Sequence, residues 1–511
     1  MGVGTVRFGT ELLKSRLLAF AGEEPYPKLS FVKETSFMDK MVALCKRRGF
    51  IFPSCEIYGG LAGVWDYGPL GVELKRNIKE YWWVCMTQYR DDIVGLDSAI
   101  LTHRAVLQAS GHEGQFVDEL VECKECHSRF RTDELGAVFC PLRPKFHPGQ
   151  CGAPLTEPRR FHLLFKTQLG PVEESAETVY LRPETAQGIF VQFRNVLEVS
   201  RKKLPFGIAQ IGKAFRNEVN PRHFTFRSRE FEQMEVEYFV KPGTGLELLE
   251  RWKEERLAWY ESLGLPRSKI RVRDVPESER AFYSQKTYDL EYEFPFGTHE
   301  LEGIAYRTDY DLVQHARGSG KPLDYFDEET QTRFVPHVIE PSGGVDRTVL
   351  ALLCEAYNEE EVKEDGERGK EVRTVLRLSP RVAPIKVGVL PLLRNRPELV
   401  AKAQEVASWL RRFYKTAYDE AGSIGRRYRR MDEIGTPFCV TIDFETLEGV
   451  RSGPLAGRRN TVTVRDRDTM AQERVAIEDL LEYLAQKVSP GIGGFFVPRE
   501  GNQGLGKSWP A

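Results

Sequence analysis

Apolar positions along the chain fall at helical spacing in some stretches and at strand spacing in others. From Asp39 to Arg90 the pattern is largely helical, interrupted at YGGLAGVWDYGPLG (58–71). That Gly- and aromatic-rich stretch predicts turns ahead of a helix opening near Pro69, with Leu74, Ile78 and Trp82 four apart on one face. Residues 123–155 are rich in Cys and Pro and predict turns. Residues 205–240 predict two strands joined by a polar loop. A helix is expected over 246–263, with Leu246, Leu249 and Trp252 three apart, and the polar run 358–371 predicts a linker or exposed loop. Beyond Pro384 the character changes: strands at 385–392, 438–444 and 461–468 alternate with helical segments at 399–414 and 475–487, and a Gly-rich basic turn is expected at 422–430. That alternation implies a separate α/β domain.

The strand pair carries the first candidate chemistry. Side chains on a strand alternate faces, so Phe231, Gln233 and Glu235 share one face while Met234, Val236 and Tyr238 share the other, apolar one. Arg216 and Glu218 are expected on one face of the preceding strand, and the loop between the strands adds Arg222, His223, Arg227 and Arg229. Phe231 and Glu235 would stand ~13 Å apart at about 3.3 Å per residue, enough for a purine at one end and a small amine at the other. Alone, this pattern also fits an amphipathic hairpin with a solvated charged face. EPSGGVDRTVLALL (340–353) changes the balance, because a Gly pair leads there into an apolar helix with Arg347 in its first turn.

Composition narrows the class. The chain has 511 residues, 41% hydrophobic and 29% charged, which suits about three globular domains and excludes collagen-like, wholly disordered and disulfide-scaffold readings. No run approaches the ~20 apolar residues of a bilayer span. Net charge is −2, so contact with nucleic acid needs local basic patches. Residues 1–35 read as an extension without a secretion signal, 491–511 as a flexible tail, and a cytoplasmic compartment is expected. Of nine cysteines, Cys45, Cys55, Cys85, Cys354 and Cys439 read as small core residues. Cys123, Cys126, Cys140 and Cys151 cluster and suit a structural Zn²⁺, with His147 as an alternative ligand and a metal-free knuckle as the other reading.

FRNE (215–218) with REFEQ (229–233) resembles motif 2 of the class II aminoacyl-tRNA synthetases, and GGVDR (343–347) resembles their motif 3. WDYGPLG (65–71), ASGH (109–112), LRPETAQGIF (181–190), LPFGIAQIGKAFRNE (204–218), RTDYDL (307–312) and VIEPSGGVDR (338–347) narrow the resemblance to the dimeric glycyl-tRNA synthetases, over roughly residues 38–490. The resemblance implies an α+β fold: an antiparallel-sheet catalytic domain over 36–380, interrupted by a Cys-rich insertion at about 121–157 and a helical insertion at about 241–290, then an anticodon-binding α/β domain over 381–490. It implies a ligase that activates glycine with ATP and Mg²⁺ and passes it to tRNA(Gly), as a homodimer. Arg216 and Arg347 match the catalytic, phosphate-holding arginines. Asn217, Glu218, Phe226, Arg227, Phe231, Glu300, Leu301 and Gly344 complete the implied ATP site, with Glu300 as a possible Mg²⁺ partner. Arg131, Glu184, Phe231, Glu235, Glu340 and Ser342 match the glycine site. Arg427, Tyr428 and Arg430, in GSIGRRYRRMDEIGTPF (422–438), are the expected tRNA contacts. One departure stands in motif 1, the dimer-building strand, where the family often has a proline before ASGH and this chain has Arg104 nearby. A synthetase for serine, threonine or proline is disfavoured by RPETAQGIF, FEQME and EPSGG. A non-catalytic relative is disfavoured because both arginines are present.

Overall fold

The computed structural model describes residues 36–171, 176–363 and 370–488. The expected extension 1–35 and tail 491–511 lie outside them. The larger part of the chain is organised by a seven-stranded sheet: β1 (Ile93–Gly95), β2 (Phe206–Phe215), β3 (Glu230–Val240), β4 (Ile270–Asp274), β5 (Lys286–Phe294), β6 (Gly297–Thr308) and β7 (His337–Gly344). Its order is β4-β5-β6-β7-β3-β2-β1, antiparallel except where β1 runs parallel to β2. Helices α1 (Phe37–Arg48), α2 (Pro69–Trp83), α3 (Ala186–Ser200), α4 (Gly245–Leu263), α5 (Tyr310–Ser319) and α6 (Val345–Ala356) flank it.

Strand alternation divides the sheet into two faces. On the back, Met234, Val236 and Tyr238 pack with Leu44 of α1, Leu74, Ile78 and Trp82 of α2, Leu249 and Trp252 of α4, and the buried face of α6. On the front, α3 and α5 cover one end, where Phe206, Ile208, Phe239 and Val338 meet Ile189, Phe190, Phe193 and Leu312. The other end of the front face stays open and forms the cavity described below. Close approach is built in with glycine: a Cβ at Gly212 of β2 would lie 2.1 Å from Arg182 Nη2.

Several local expectations are corrected. Leu246 is exposed, because at the first turn of α4 it is Gly245 that faces the sheet, where a Cβ would meet the Tyr306 ring at 2.2 Å. Only the first half of 241–290 is helical; β4 and the start of β5 belong to the main sheet. The first motif 2 strand stops at Phe215, so Arg216 and Glu218 follow it rather than lie on it. Of the polar run 358–371, residues 364–369 lie outside the described residues and the rest belongs to two paired strands, Tyr357–Lys363 against Lys370–Leu376, with Glu360 opposite Arg373 at 3.0 Å. Cross-strand charge pairing makes a strand of a segment that composition reads as loop. Cys55 is exposed, not core. Arg104 opens a short helix after the strand Leu101–His103 and pairs with Glu113 at 2.7 Å.

The C-terminal part has β8 (Val387–Pro391), β9 (Thr416–Tyr418), β10 (Phe438–Ile442), β11 (Thr461–Asp466) and β12 (Gln472–Ala476), ordered β9-β8-β10-β11-β12, with β8 parallel to β9 and β10. Helices α7 (Pro397–Leu410) and α9 (Leu480–Val488) pack on one face and α8 (Ile424–Glu433) on the other. The expected basic turn at 422–430 is mostly α8, because Ser423 caps it, accepting from Arg426 N at 3.4 Å. The segment 475–487 begins as strand, with helix only from Leu480.

A buried ion triad joins the two parts. Asp432 of α8 accepts from Arg373 Nε at 2.8 Å and from Arg465 Nη1 at 3.0 Å, all three side chains being almost fully enclosed. Removing the carboxylate leaves the Arg465 guanidinium without its acid and Arg373 with only Glu360 and the Arg467 carbonyl. Asp432→Ala is therefore expected to cost about 3–5 kcal/mol, read as a lowered urea midpoint, whereas an unchanged midpoint contradicts the account.

Candidate active site

The open end of the front face is a cavity of about 370 Å³. Its floor is β3, β6 and β7. Phe231, Gln233 and Glu235 rise from β3, Leu301, Gly303 and Ala305 from β6, and Glu340, Ser342 and Gly344 from β7. Register places Glu235 opposite Ser342, so the two strands present their polar groups together.

One end of the cavity is cationic and aromatic. The Arg216 guanidinium lies 5.3 Å from the Phe231 ring centroid, and its Nε donates to the Pro183 carbonyl at 3.0 Å. The Arg347 guanidinium lies 4.5 Å from the Phe226 ring, with Nη1 3.3 Å from Glu300 Oε2. Arg347 is aimed by its neighbour Asp346, which accepts from the Glu232 amide and from Lys75 Nζ, each at 2.7 Å, and so pins the start of α6 to β3 and α2. Arg227 Nε donates to Glu218 Oε2 at 2.7 Å on the same wall. Cations flanking ring faces suit a nucleotide, with stacking for the base and charge for the phosphates.

The other end is acidic and enclosed. Glu235 accepts from Ser342 Oγ at 2.7 Å and from Thr185 Oγ1. Glu184 faces His112 Nε2 at 3.2 Å and accepts from Gln187 Nε2 at 3.1 Å. Glu340 accepts from Arg307 Nη1 at 2.8 Å, and the same guanidinium holds Asp311 through two bonds of 2.7 and 2.8 Å. Burial is the largest influence on Glu184 and would raise it, but His112, Arg307 and Gln187 outweigh burial and hold it well below the usual carboxyl range. Burial and then the Glu184 charge push Glu235 up. Such a pocket suits an ammonium group on a small body.

Most residues proposed from the sequence line this one cavity: Arg216, Glu218, Phe226, Arg227, Phe231, Glu300, Leu301, Gly344 and Arg347, with Glu184, Glu235, Glu340 and Ser342. Two do not. Arg131 sits in a separate small sheet, where Asp133 at 2.7 Å and Asp118 at 3.5 Å hold it. Asn217 is not among the lining residues, and its backbone N–H donates to the Leu163 carbonyl at 2.8 Å. Sequence reasoning missed the supporting polar shell of His112, Thr185, Gln187, Tyr283, Arg307 and Asp311. Three motifs, ASGH, RPETAQ and RTDYDL, contained most of it, but which carboxylate each residue meets is a tertiary matter.

Residues 165–357 match the family described as tRNA synthetase class II core domain (G, H, P, S and T), and residues 386–487 match the family described as anticodon binding domain. A glycine–tRNA ligase of Thermobifida fusca is 52% identical over 472 residues, covering 88% of this chain and 98% of the relative. Glycine–tRNA ligases of Streptomyces coelicolor and Clostridium perfringens are 51% and 52% identical, covering 88% and 87% of this chain and 98% and 97% of theirs. This chain belongs to the glycine–tRNA ligase family. Among the described residues no helix is long and apolar enough to cross a membrane.

On the anticodon-binding domain of this family member, one expected tRNA contact is corrected. Arg427 is 1% exposed and donates to the carbonyls of Pro391 and Gly422, so it braces the domain from inside. Tyr428 is half-buried with its hydroxyl on Thr441 Oγ1 at 2.6 Å, and Arg430 is held by Asp419 at 2.7 Å. The loop after β8 instead exposes Arg394 and Arg396, at the carboxyl ends of parallel strands where open α/β sheets bind ligands.

In the Cys-rich insertion, Cys123, Cys140 and Cys151 are buried around Val121, Phe130 and Ala153, and Cys126 packs against them. The Cys126 thiol faces those of Cys123 and Cys140, and Cys140 faces Cys151. His147 stacks on Phe139 with Nδ1 2.7 Å from the Val138 carbonyl.

Asp289 of β5 lines the phosphate side of the cavity, and burial followed by the Glu300 charge pushes its carboxyl up to about 6. The fold therefore favours the protonated acid, and stability declines as pH rises from about 4, the unfolded value, through 6. Urea midpoints are to be compared at about pH 4.5 and about pH 7.5 without ligands. Asp289→Asn should gain on the wild type at the higher pH, and an equal gap at both contradicts the assignment.

Proposed function

We propose that this chain activates glycine with ATP and transfers it to the 3′ end of tRNA(Gly). What supports the reading is the convergence of Arg216 and Arg347 with Glu184 and Glu235 on a single cavity. In the first step the glycine carboxylate oxygen attacks the α-phosphorus of ATP; the bond to the β-phosphate oxygen breaks and pyrophosphate leaves. Arg216 stabilises the charge that builds on the α-phosphoryl oxygens, and Arg347 holds the far phosphates. Phe231 stacks on the base and Glu218 accepts from its amino group. No side chain needs to act as a base, because the nucleophile is already ionised. Mg²⁺ carried in with ATP would neutralise adjacent phosphates, and Glu300 is the carboxylate that would hold it. In the second step the terminal ribose hydroxyl of the tRNA displaces AMP from the glycyl carbonyl.

Glu184, Glu235 and Glu340 hold the ammonium group, with Ser342 beside the substrate. A pocket differing by one methylene discriminates by only about 1–3 kcal/mol, so rejection of alanine rests on the rigidity that buried ion pairs give these walls. The tRNA meets the anticodon-binding domain, with Arg430 and the exposed Arg394 and Arg396 as its cations. The working form is a cytoplasmic homodimer. The exposed Leu101 and Leu169, on the small sheet that contains the motif 1 strand, support that assembly.

Pyrophosphate exchange with each amino acid in turn tests the reading. Glycine should support exchange, and Arg216→Ala should lower it roughly 10²–10³-fold. Exchange with alanine or serine alone overturns the substrate.

Cys123, Cys126, Cys140 and Cys151 hold a structural Zn²⁺ in this proposal. Four thiols in a small insertion with few buried residues suit a metal staple. Metal analysis of the purified protein is expected to find about one zinc per chain, lost in Cys140→Ser. A zinc-free, fully active wild type refutes the site.

A further inference from the structure

The front face of β3 carries one more acid than the proposed chemistry uses. Glu237 follows Glu235 on that face, and the pairs Glu235–Ser342 and Tyr238–Ile339 bracket it, setting it across from Glu340. It is 0% exposed, and neither carboxyl oxygen has a hydrogen-bond partner. Its other cross-strand neighbour is Ile208, and Phe239 follows on the same face, so one side is apolar. Glu235, Glu237 and Glu340 each offer an oxygen within 4.8 Å of the other two.

The charged groups around Glu237 are Glu340 on β7, Glu235 on its own strand, Arg307 on β6 and Asp311 on α5. The single guanidinium among them is already engaged by Asp311 and Glu340. An ionised Glu237 would thus be a buried, unpaired charge opposite another acid, which is costly on both counts. Burial first, and then Glu340, push its carboxyl well above the ordinary range; burial raises Glu340 as well, but Glu340 has the Arg307 hydrogen bond against it and Glu237 has none, so of the two Glu237 is the one to carry the proton. A neutral carboxylic acid has what this corner lacks, an O–H donor beside Glu340. Rotation of the two side chains, or one enclosed water, closes the gap between them.

We propose that Glu237 is a positioning residue for the amino-acid pocket: as a neutral acid it donates to Glu340, which stays fixed between that donor and Arg307 with its remaining lone pairs toward the substrate ammonium. The inference rests on the reading of Glu340 as an ammonium ligand. Glu237 itself lies behind the cavity wall and does not touch glycine.

Two near-isosteric variants separate this role from a structural one. Glu237→Gln keeps a neutral donor, and Glu237→Met fills the volume without one. In glycine-dependent pyrophosphate exchange, Glu237→Gln should keep the glycine KM within about threefold of wild type from about pH 6.5 to 8.5. Glu237→Met should raise the glycine KM about tenfold or more, leave the ATP KM within about twofold, and keep a wild-type melting temperature. The proposal is overturned if Gln raises the glycine KM as far as Met does, since a charge is then required. It is equally overturned if Met leaves the glycine KM unchanged, or if Met lowers the melting temperature and both KM values shift together. A wild type without glycine-dependent exchange overturns the ligase reading and this one together; failure of the variants beside an active wild type overturns this one alone.

Discussion

A single buried guanidinium makes the acidic end of the cavity possible. Arg307 is fully enclosed, bonded to Asp311 and Glu340 and covered by the Tyr283 ring at 3.8 Å. Without it the enclosed acids at this corner would face one another with no cation reaching Glu340 or Asp311; burial already pushes Glu340 well above the ordinary carboxyl range, and Arg307 is the charge that counters it. Because Arg307 takes two bonds to Asp311 and one to Glu340, it also fixes α5 against β7. The position of the acids and the packing of the helix are therefore one property.

The cavity is polarised along a strand. Every second residue of β3 faces the front, so Phe231, Gln233, Glu235 and Glu237 form a line running from the arginine end to the acid end. The helices complete the asymmetry. α3 and α5 cover the apolar end of the face, and what they leave uncovered is the cavity. A nucleotide needs cations and rings, an amino acid needs acids around its ammonium group, and the two must meet between. A rigid sheet meets that need better than loops would, since register sets the spacing of the groups along its strands.

The legible part of the sequence was the part governed by short-range spacing. The face assignment of Met234, Val236 and Tyr238 and the seam Leu74, Ile78, Trp82 both follow from period alone and agree with the observed core. Misreadings had a common cause. Residues 358–363 read as linker or exposed loop because Glu360 finds its partner, Arg373, across a hairpin, Leu246 reads as buried because the close approach of Gly245 to Tyr306 is invisible in a helical wheel, and Arg427 reads as a nucleic-acid contact because its burial depends on the carbonyls of Pro391 and Gly422.

The amino-acid order by itself determined the family, the alternation that gives the sheet its two faces, and the identity of the arginines and acids that carry the chemistry, because each of these is written in residue type and local period. The tertiary structure alone decided that these groups share one cavity, that Arg131 stays outside it, and which acid each cation serves. Those outcomes depend on contacts between segments far apart in the chain, such as His112 with Glu184 and Arg307 with Glu340. Burial and Coulomb interaction act through space, and no local pattern encodes the distance over which they act.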